Sequence, residues 1–386
     1  MNIPYGRQNV TPEDIDAVVD VLKSPFLTQG PAVPKFENSL CEFIGCKFAV
    51  AMNSATSALH VAVTALGLRK GDILWTSPIT FVASANCGLY CGAAIDFVDI
   101  DPVSFNMCPN ELEKKLIAAK TKGKLPQVVV IVHMAGQSAD MQSIHALSKK
   151  YRFKIVEDAS HAIGGTYLNK KVGSCKYSDI TVFSFHPVKI ITTGEGGVAV
   201  TNNEEIASKM QKLRSHGISR NPKDWTQTNN DAWYYEMLDL GFNYRLTDLQ
   251  AALGLSQMTK LSQNIIRRNN LAANYENLLN KNKLVLPTIS KKTYSSYHLY
   301  IVQVRNKACK SAVFREMREK GVGVNVHYIP VHLQPYYLDL GFKPGDFPKS
   351  EAYYEGAITI PLYPTLSLDE QTYVSKTLNK ALEKWT

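Results

Sequence analysis

Apolar and polar positions alternate along this chain with two periods, and the switch between them marks the elements. Thr11-Pro12-Glu13-Asp14 reads as a helix start, with Thr as N-cap and Pro at the first helical position. Ile15, Val18, Val19 and Leu22 then fall on one face, and Ser24-Pro25 ends the helix. A second helix is predicted through Val33, Phe36, Leu40 and Phe43, stopped by Gly45. From residue 48 short apolar runs take turns with helical patterns: FAVAM, DILWT, AIDFVDI, QVVVIVHM and KIVED read as strands. Between them SATSALHVAVTAL, FVASANCGLYC, ELEKKLIAAK and MQSIHALSKKY read as helices. Near-continuous apolar strands separated by helices predict a mostly parallel sheet covered on both faces. ITVFSF and GGVAVT then form two neighbouring strands around Lys189.

The polar stretch 219–240 breaks this rhythm, yet holds Trp225, Trp233, Tyr234 and Tyr235, and is expected to be a structured surface loop. Thr247-Asp248-Leu249-Gln250 is a capping box opening a helix, and a long helix through IIRRNNLAANYENLL follows. The remainder predicts a smaller α+β unit: strands LYIVQV and VGVNVHY around the helix AVFREMREKG, then ITIPLY and a final helix opened by Ser367 and Glu370. The expected division is a large α/β domain over residues 1–250 and a small C-terminal α+β domain over 251–386. A chain of 386 residues is longer than one hydrophobic core usually serves.

Composition narrows the class. The formal charge of +9 is not gathered into basic runs, which favours a small anionic ligand over nucleic acid. Seven cysteines without framework spacing predict free thiols in a reducing compartment. The opening MNIPYGRQNV has no signal-peptide core, and no apolar run is long enough to span a bilayer. The expectation is a cytoplasmic protein without membrane contact, nucleic-acid partner or metal site.

Chemistry-bearing groups fall at the carboxyl ends of the predicted strands, where parallel α/β sheets bind ligands. Asn53-Ser54-Ala55-Thr56-Ser57 precedes a helix and offers free N–H groups and hydroxyls to an anion, or serves as a plain N-cap. Glu157-Asp158-Ala159-Ser160-His161 ends a strand, and its acid either holds a protonated ring nitrogen or caps the next helix. Phe81 is a flat plate for a ring or a core residue. FSFHPVKIITTGEGG places Lys189 between an apolar strand and a glycine cluster, with Ser184 beside it as a further phosphate donor. Lys189 is thus the tip of a hairpin or a nucleophilic amine. Together a phosphate cradle, an aromatic plate, an acid and an amine describe a site for pyridoxal phosphate.

At this point the chain resembles the DegT/DnrJ/EryC1/StrS family of sugar-nucleotide aminotransferases. The resemblance rests on LTQGPAVPKFE (27–37), NSATSALH (53–60), TFVASAN (80–86), VEDASHAIG (156–164), FSFHPVKIITTGEGG (183–197), LRSHGI (213–218) and GFNYRLTDLQAALG (241–254). It implies the type I aminotransferase fold, with pyridoxal phosphate and its pyridoxamine form as cofactor. By resemblance, Lys189 is the Schiff-base lysine, Asp158 pairs with the pyridine nitrogen, and His161 bonds the ring's 3-oxygen. Phe81 stacks on the ring, and Ala55, Thr56 and Ser184 hold the phosphate. Asn243 in FNYR matches an asparagine that reaches the partner subunit's phosphate, which implies a homodimer with shared sites. Arg245, His327 and His332 are candidate contacts to the nucleotide sugar or to glutamate.

The activity implied is amino transfer from L-glutamate to C4 of a UDP-linked 4-keto-6-deoxy-N-acetylhexosamine, as in pseudaminic acid biosynthesis. A 3- or 4-aminotransferase for another UDP- or dTDP-linked sugar, or a silent binding member of the fold, remain alternatives. Histidine at the lysine position marks the family's dehydratases, and Lys189 argues against that reaction.

Overall fold

The computed structural model describes residues 2–229 and 231–385; Met1, Asn230 and Thr386, each part of a stretch read above, lie outside the described residues. Helices α1 (Pro12–Lys23) and α2 (Ala32–Ile44) lead into β1 (Phe48–Met52), α3 (Ala55–Ala65), β2 (Ile73–Thr76), α4 (Ala83–Tyr90) and β3 (Ala94–Phe97). Then come α5 (Pro109–Thr121), β4 (Val128–Val132), α6 (Met141–Tyr151) and β5 (Lys154–Asp158). A small hairpin, β6 (Thr166–Tyr167) and β7 (Lys170–Lys171), precedes β8 (Ile180–Ser184), β9 (Gly197–Thr201) and α7 (Glu204–Leu213).

Seven of these strands make one sheet in the order β1-β9-β8-β5-β4-β2-β3. The pairs β2–β3, β2–β4, β4–β5 and β5–β8 are parallel, while β9 runs antiparallel to both β1 and β8. The mostly parallel, helix-covered α/β sheet expected from the apolar runs is therefore observed. All five residues of β4 and of β8 are buried, as a sheet covered on both faces requires. Alternation along each strand sorts the cores: Ala49, Ala51 and Phe183 pack with Phe36 and Leu40 of α2, whereas Val50, Met52 and Val182 pack under Leu59 and Val63 of α3.

Loop 219–240 carries a short hairpin, β10 (Ile218–Ser219) with β11 (Glu236–Met237), and an edge-on Trp225–Tyr234 pair with ring centroids 4.8 Å apart. It is structured as expected, although Trp233 and Leu240 stay exposed. The predicted capping box at Thr247 opens α8 (Asp248–Met258): Gln250 N–H donates to Thr247 Oγ1 and Thr247 N–H to Gln250 Oε1.

The long helix α9 (Leu261–Leu278) joins two cores. Leu261 and Ile265 pack with α2 and α8, while Leu271, Ala272 and Tyr275 belong to a second core. That second core lies on a three-stranded sheet of β12 (Leu284–Val285), β14 (Tyr300–Val304) and β15 (Ala357–Ile360), while the two-residue β13 (Thr293–Tyr294) pairs with β6. Helices α10 (Lys310–Glu319) and α13 (Leu368–Trp385) cover it, and α11 (Pro335–Asp339) and α12 (Pro348–Gly356) lie between them in the chain. The expected cut after residue 250 falls inside α8, and Ile3 packs in the C-terminal core. We propose a boundary within α9, with the N-terminal residues crossing to the small domain.

Two local expectations need correction. VGVNVHY is not a strand: only Val322 (to Ile3) and Asn325 (to Thr359) make isolated bridges, because the segment leaves the small sheet toward the large one. Val331 N–H then donates to Pro78 O at 2.9 Å. On α1, Ile15 and Leu22 are exposed and the buried side chain is Asp14, bonded to Ser256, Gln257 and Lys260.

Candidate active site

A cavity of about 650 Å³ opens at the carboxyl ends of β5 and β8. Ala55, Thr56, Phe81, Asp158, His161, Ser184, Lys189 and His327 all line it, drawn from widely separated stretches of the chain. Asn243, Arg245 and His332 do not.

Lys189 sits on the turn between β8 and β9. That turn is held by its own bonds: Lys189 N–H to His186 O at 2.9 Å, Thr193 N–H to Phe185 O at 3.0 Å, and Thr192 Oγ1 to Phe185 O at 2.9 Å. Ile190 and Ile191 anchor it in the core beside α2. Burial lowers the Lys189 amine from 10.5 to about 8, against the pull of the Asp158 charge, which raises it. At pH 7 about a tenth of such an amine is neutral, against far less than a hundredth for an ordinary lysine.

Asp158 ends β5, where alternation points it and Glu157 to opposite faces. Ser84 donates to Asp158 Oδ2 at 2.6 Å, and Ser160 donates to Oδ1 through its hydroxyl at 2.6 Å and its N–H at 3.1 Å. Three donors fix the carboxylate's orientation. Glu157 turns away into a buried pair with His133 at 2.6 Å, and Ala139 N–H donates to the other nitrogen of that ring. The imidazole proton is thereby placed on Nε2, and Glu157 has a structural role.

His161 packs against His298 with ring centroids 4.4 Å apart and the planes tilted by 39°, and its Nε2 lies 3.1 Å from the Tyr328 hydroxyl. Burial pushes the Tyr328 hydroxyl far up, so it stays protonated and donates. Burial, with the nearby Lys189 charge, pushes His161 well down, so its ring is neutral. Its proton then sits on Nδ1, which is buried without a partner. Phe81 is 58% exposed, presenting its ring to the cavity rather than to the core.

Ser54 caps α3 by accepting from Ser57 N–H. Ala55 and Thr56 N–H, in the same first turn, have no partner among the described residues, and Ser184 lines the same cavity. Gly197, which pairs with both Met52 and Ser184, is what brings this helix end so close: a Cβ there would lie 2.4 Å from Ala55 N. These features fit pyridoxal phosphate: an open helix N-terminus for the phosphate, an unpartnered ring N–H, a fixed carboxylate and a partly neutral amine.

The remaining expectations divide. His327 lines the cavity, but its Nδ1 lies 2.8 Å from Thr359 Oγ1; burial and the Lys189 charge bring it down to about 4. His332 is fully buried, packed on Phe97 and Phe347, with Nε2 2.9 Å from Glu351. A substrate contact at His332 is therefore corrected to a structural one, since the aromatic cluster encloses it. Asn243 is exposed on the run 241–247, and Arg245 bonds Ser215 Oγ at 3.1 Å. Sequence reasoning assigned no role to Ser84, Ser160, His298 or Tyr328, though Ser160 lies inside VEDASHAIG, Ser84 inside TFVASAN and Tyr328 at the end of VGVNVHY. His186 and Glu195 also line the cavity, 3.9 Å apart.

Comparison with known proteins agrees with this geometry. The model of the DegT/DnrJ/EryC1/StrS aminotransferase family matches residues 8–379. The chain is 40% identical over 386 residues to UDP-4-amino-4,6-dideoxy-N-acetyl-beta-L-altrosamine transaminase of Campylobacter jejuni strain 81-176, covering 99% of this chain and 98% of that protein. Among solved structures, Helicobacter pylori PseC, an aminotransferase involved in the biosynthesis of pseudoaminic acid, superposes with a TM-score of 0.91 at 33% identity over 100% of both chains. Spr1654 of Streptococcus pneumoniae, solved in its PLP form, gives a TM-score of 0.91 at 29% identity over 100% of both chains. With the amine, carboxylate and phosphate cradle in one cavity and the family matched nearly end to end, this chain belongs to the DegT/DnrJ/EryC1/StrS aminotransferase family and is a pyridoxal-phosphate-dependent aminotransferase.

Proposed function

We propose that this enzyme transfers an amino group from L-glutamate to C4 of a UDP-linked 4-keto-6-deoxy-N-acetylhexosamine. The product is UDP-4-amino-4,6-dideoxy-N-acetyl-beta-L-altrosamine, the sugar in the name of the Campylobacter relative. The observation that carries the reaction class is Lys189, its amine depressed to about 8 by burial in the wall of a cavity that Asp158 also lines.

Asp158 would hold the protonated pyridine nitrogen, Phe81 would cover the ring, and His161 Nδ1 would donate to the 3-oxygen. Ala55 and Thr56 N–H and the Ser184 hydroxyl would hold the phosphate. When bound, the cofactor supplies an electron sink and carries the amino group between two substrates. Lys189 does the proton work. Its neutral Nζ takes the Cα proton from glutamate in the first half-reaction and delivers a proton to C4 of the sugar in the second. Ser84 and Ser160 keep the Asp158 carboxylate aimed throughout. The neutral state of His161 keeps a second positive charge away from the Lys189 amine.

We place the enzyme in the cytoplasm as a homodimer in which the partner subunit's Asn243 completes each phosphate site. Support comes from the exposure of Asn243 away from its own cavity and from Ile15, Leu22, Phe26 and Leu27, an exposed apolar stripe on α1 and the segment after it. Seven free cysteines suit a reducing compartment, and among the described residues no helix is long and apolar enough to cross a membrane.

The test pairs a spectrum with an assay. Wild type and Lys189→Ala are purified, their visible absorbance is recorded, and each is given L-glutamate and the UDP-4-keto sugar. A yellow wild type that makes the 4-amino sugar by mass, beside a variant that does not, supports the proposal. A yellow enzyme that consumes glutamate but leaves this sugar untouched removes the substrate assignment and keeps the reaction class.

A further inference from the structure

A separate cleft of about 890 Å³ lies between α10 and the end of α12. One face of α10 lines it: Ser311, Phe314, Arg315 and Arg318 recur at helical spacing, with Lys310 at the helix start and Lys307 in the turn before it. Val313 and Met317, on the other side of α10, fill the core. Four basic side chains therefore line the cleft with a single acid, Glu355, which pairs with Lys307 at 2.9 Å. Arg315 and Arg318 make no side-chain hydrogen bond or ion pair among the described residues, and three positions apart on a helix they are neighbours. Lys310 is half-buried. Its ammonium sits over the Tyr354 ring, 4.3 Å from the centroid, and donates to Tyr354 O. An ammonium has three donors, so two remain for a ligand. Burial lowers this amine to about 8, against the pull of Glu355, so the cleft holds positive charge that its own residues do not balance.

We infer that this cleft is a second ligand site, apart from the catalytic cavity, for an organic diphosphate that acts as an effector. Guanidinium forks and ammonium groups match phosphate oxygens. A single carboxylate would leave most of the positive charge unmatched, whereas two phosphoryl groups answer it. The cleft is larger than a bare diphosphate needs, and Phe314, Val326 and Tyr354 offer an apolar wall to the organic part. Its link to the reaction runs through two neighbouring pairs of residues. Val326 lines this cleft and the catalytic cavity alike, and His327 and Tyr328 follow it in the cavity wall. Tyr353 donates to His327 O at 2.6 Å, and the next residue, Tyr354, holds Lys310. A ligand that draws Lys310 from Tyr354 thus acts one residue away from the bond that fixes His327. The inference does not depend on which sugar is aminated.

The test uses the cofactor-loaded enzyme as wild type, as the double variant Arg315→Ala with Arg318→Ala, and as Arg315→Lys with Arg318→Lys. Melting temperature and bound-cofactor absorbance check folding. The probes are ADP, inorganic pyrophosphate and sulfate, titrated by calorimetry at low and high salt. Wild type is expected to bind ADP more tightly than pyrophosphate, pyrophosphate more tightly than sulfate, and all three less tightly as salt rises. The double alanine variant should bind ADP about tenfold more weakly, with the lysine variant between the two. Without ADP, both variants should react with glutamate at the wild-type rate, since neither arginine lines the catalytic cavity. Saturating ADP should change that rate about fivefold in wild type and leave the alanine variant unchanged. Equal affinity for ADP in wild type and the alanine variant overturns the site, because ADP then binds elsewhere. Sulfate bound as tightly as ADP also overturns it, because the cleft is then a general basic surface. ADP bound at the arginine pair with no change in the glutamate rate overturns the effector role and leaves the site.

Discussion

Gly197→Ala tests whether the packing of β9 against α3 sets cofactor affinity. A Cβ at residue 197 would lie 2.4 Å from Ala55 N, 2.5 Å from Ser54 C and 2.6 Å from Ala55 Cα. All three are backbone atoms, so no side chain can swing aside. Real Cβ contacts essentially never fall below 3.0 Å, so the helix end and the strand must part by at least about 0.6 Å. Gly197 is also paired with Met52 and Ser184, which limits how far the strand can yield. The displacement therefore falls on the Ala55 and Thr56 N–H groups proposed to hold the phosphate. A hydrogen bond to a charged group is worth about 1.5–3 kcal/mol, so losing one lowers cofactor affinity by about ten- to a hundredfold. The assay is titration of cofactor-free protein with pyridoxal phosphate, followed by absorbance. Gly194→Ala is the control, since a Cβ there meets nothing within 4 Å although its φ of +78° favours glycine. Cofactor affinity of Gly197→Ala within twofold of wild type, in a folded protein, would refute the reasoning.

Two further outcomes follow from charge. In cofactor-free protein, acylation of Lys189 by an amine reagent should have its midpoint near pH 8, because only the neutral amine reacts and burial lowers its pKa to about 8; a midpoint above pH 10, read by peptide mass, would show a solvated lysine. Burial raises the Asp14 carboxyl, but Lys260, Ser256, Thr11 and Gln257 outweigh it and hold the carboxyl below its usual value. Asp14→Ala should cost about 3 kcal/mol in urea unfolding at pH 7. Because the folded pKa is lowered, that stabilisation is present above about pH 4 and lost as pH falls through the folded value, so the two proteins should converge in acid.

How much of this was legible depends on the range of each signal. Strands such as VVVIV and helices such as α8, with its Thr247–Gln250 box, declare themselves within a few residues, and they lie where the pattern puts them. VGVNVHY alternates equally well but belongs to no sheet, because its polar backbone is bonded at two isolated bridges and then carries His327 and Tyr328 to the cavity. Alternation reports which side chains share a side, not whether a partner strand exists. The α1 stripe shows the same limit: Ile15 and Leu22 do share a face, but the described residues leave it exposed. At the site, a residue was readable where the resemblance gives its motif position a role. Ser84, although inside TFVASAN, and Tyr328 were not, since each acts on a residue far away in sequence, Asp158 at 74 positions and His161 at 167. An isolated serine or tyrosine carries no sign of such a contact.

The proposed shared-site dimer predicts more than an oligomeric state. Lys189 is the only lysine or arginine among the residues lining the cavity, yet the proposed ligands include a phosphate and a diphosphate. Asn243 and Arg245 lie together on the run 241–247, outside their own cavity. If two-fold symmetry carries that run to the partner's cavity, the defects of two inactive chains become complementary. Chains bearing Lys189→Ala supply a sound Asn243, and chains bearing Asn243→Ala supply a sound Lys189. Mixed one to one and allowed to exchange, half of the dimers are hybrids with one intact site of two. Activity should therefore recover to about a quarter of wild type, starting from a Lys189→Ala preparation with none and an Asn243→Ala preparation weakened in phosphate binding. If each site were built within one chain, no hybrid would contain an intact site. Activity after mixing would then equal the average of the two preparations, and the assignment of Asn243 to the partner's phosphate would fail.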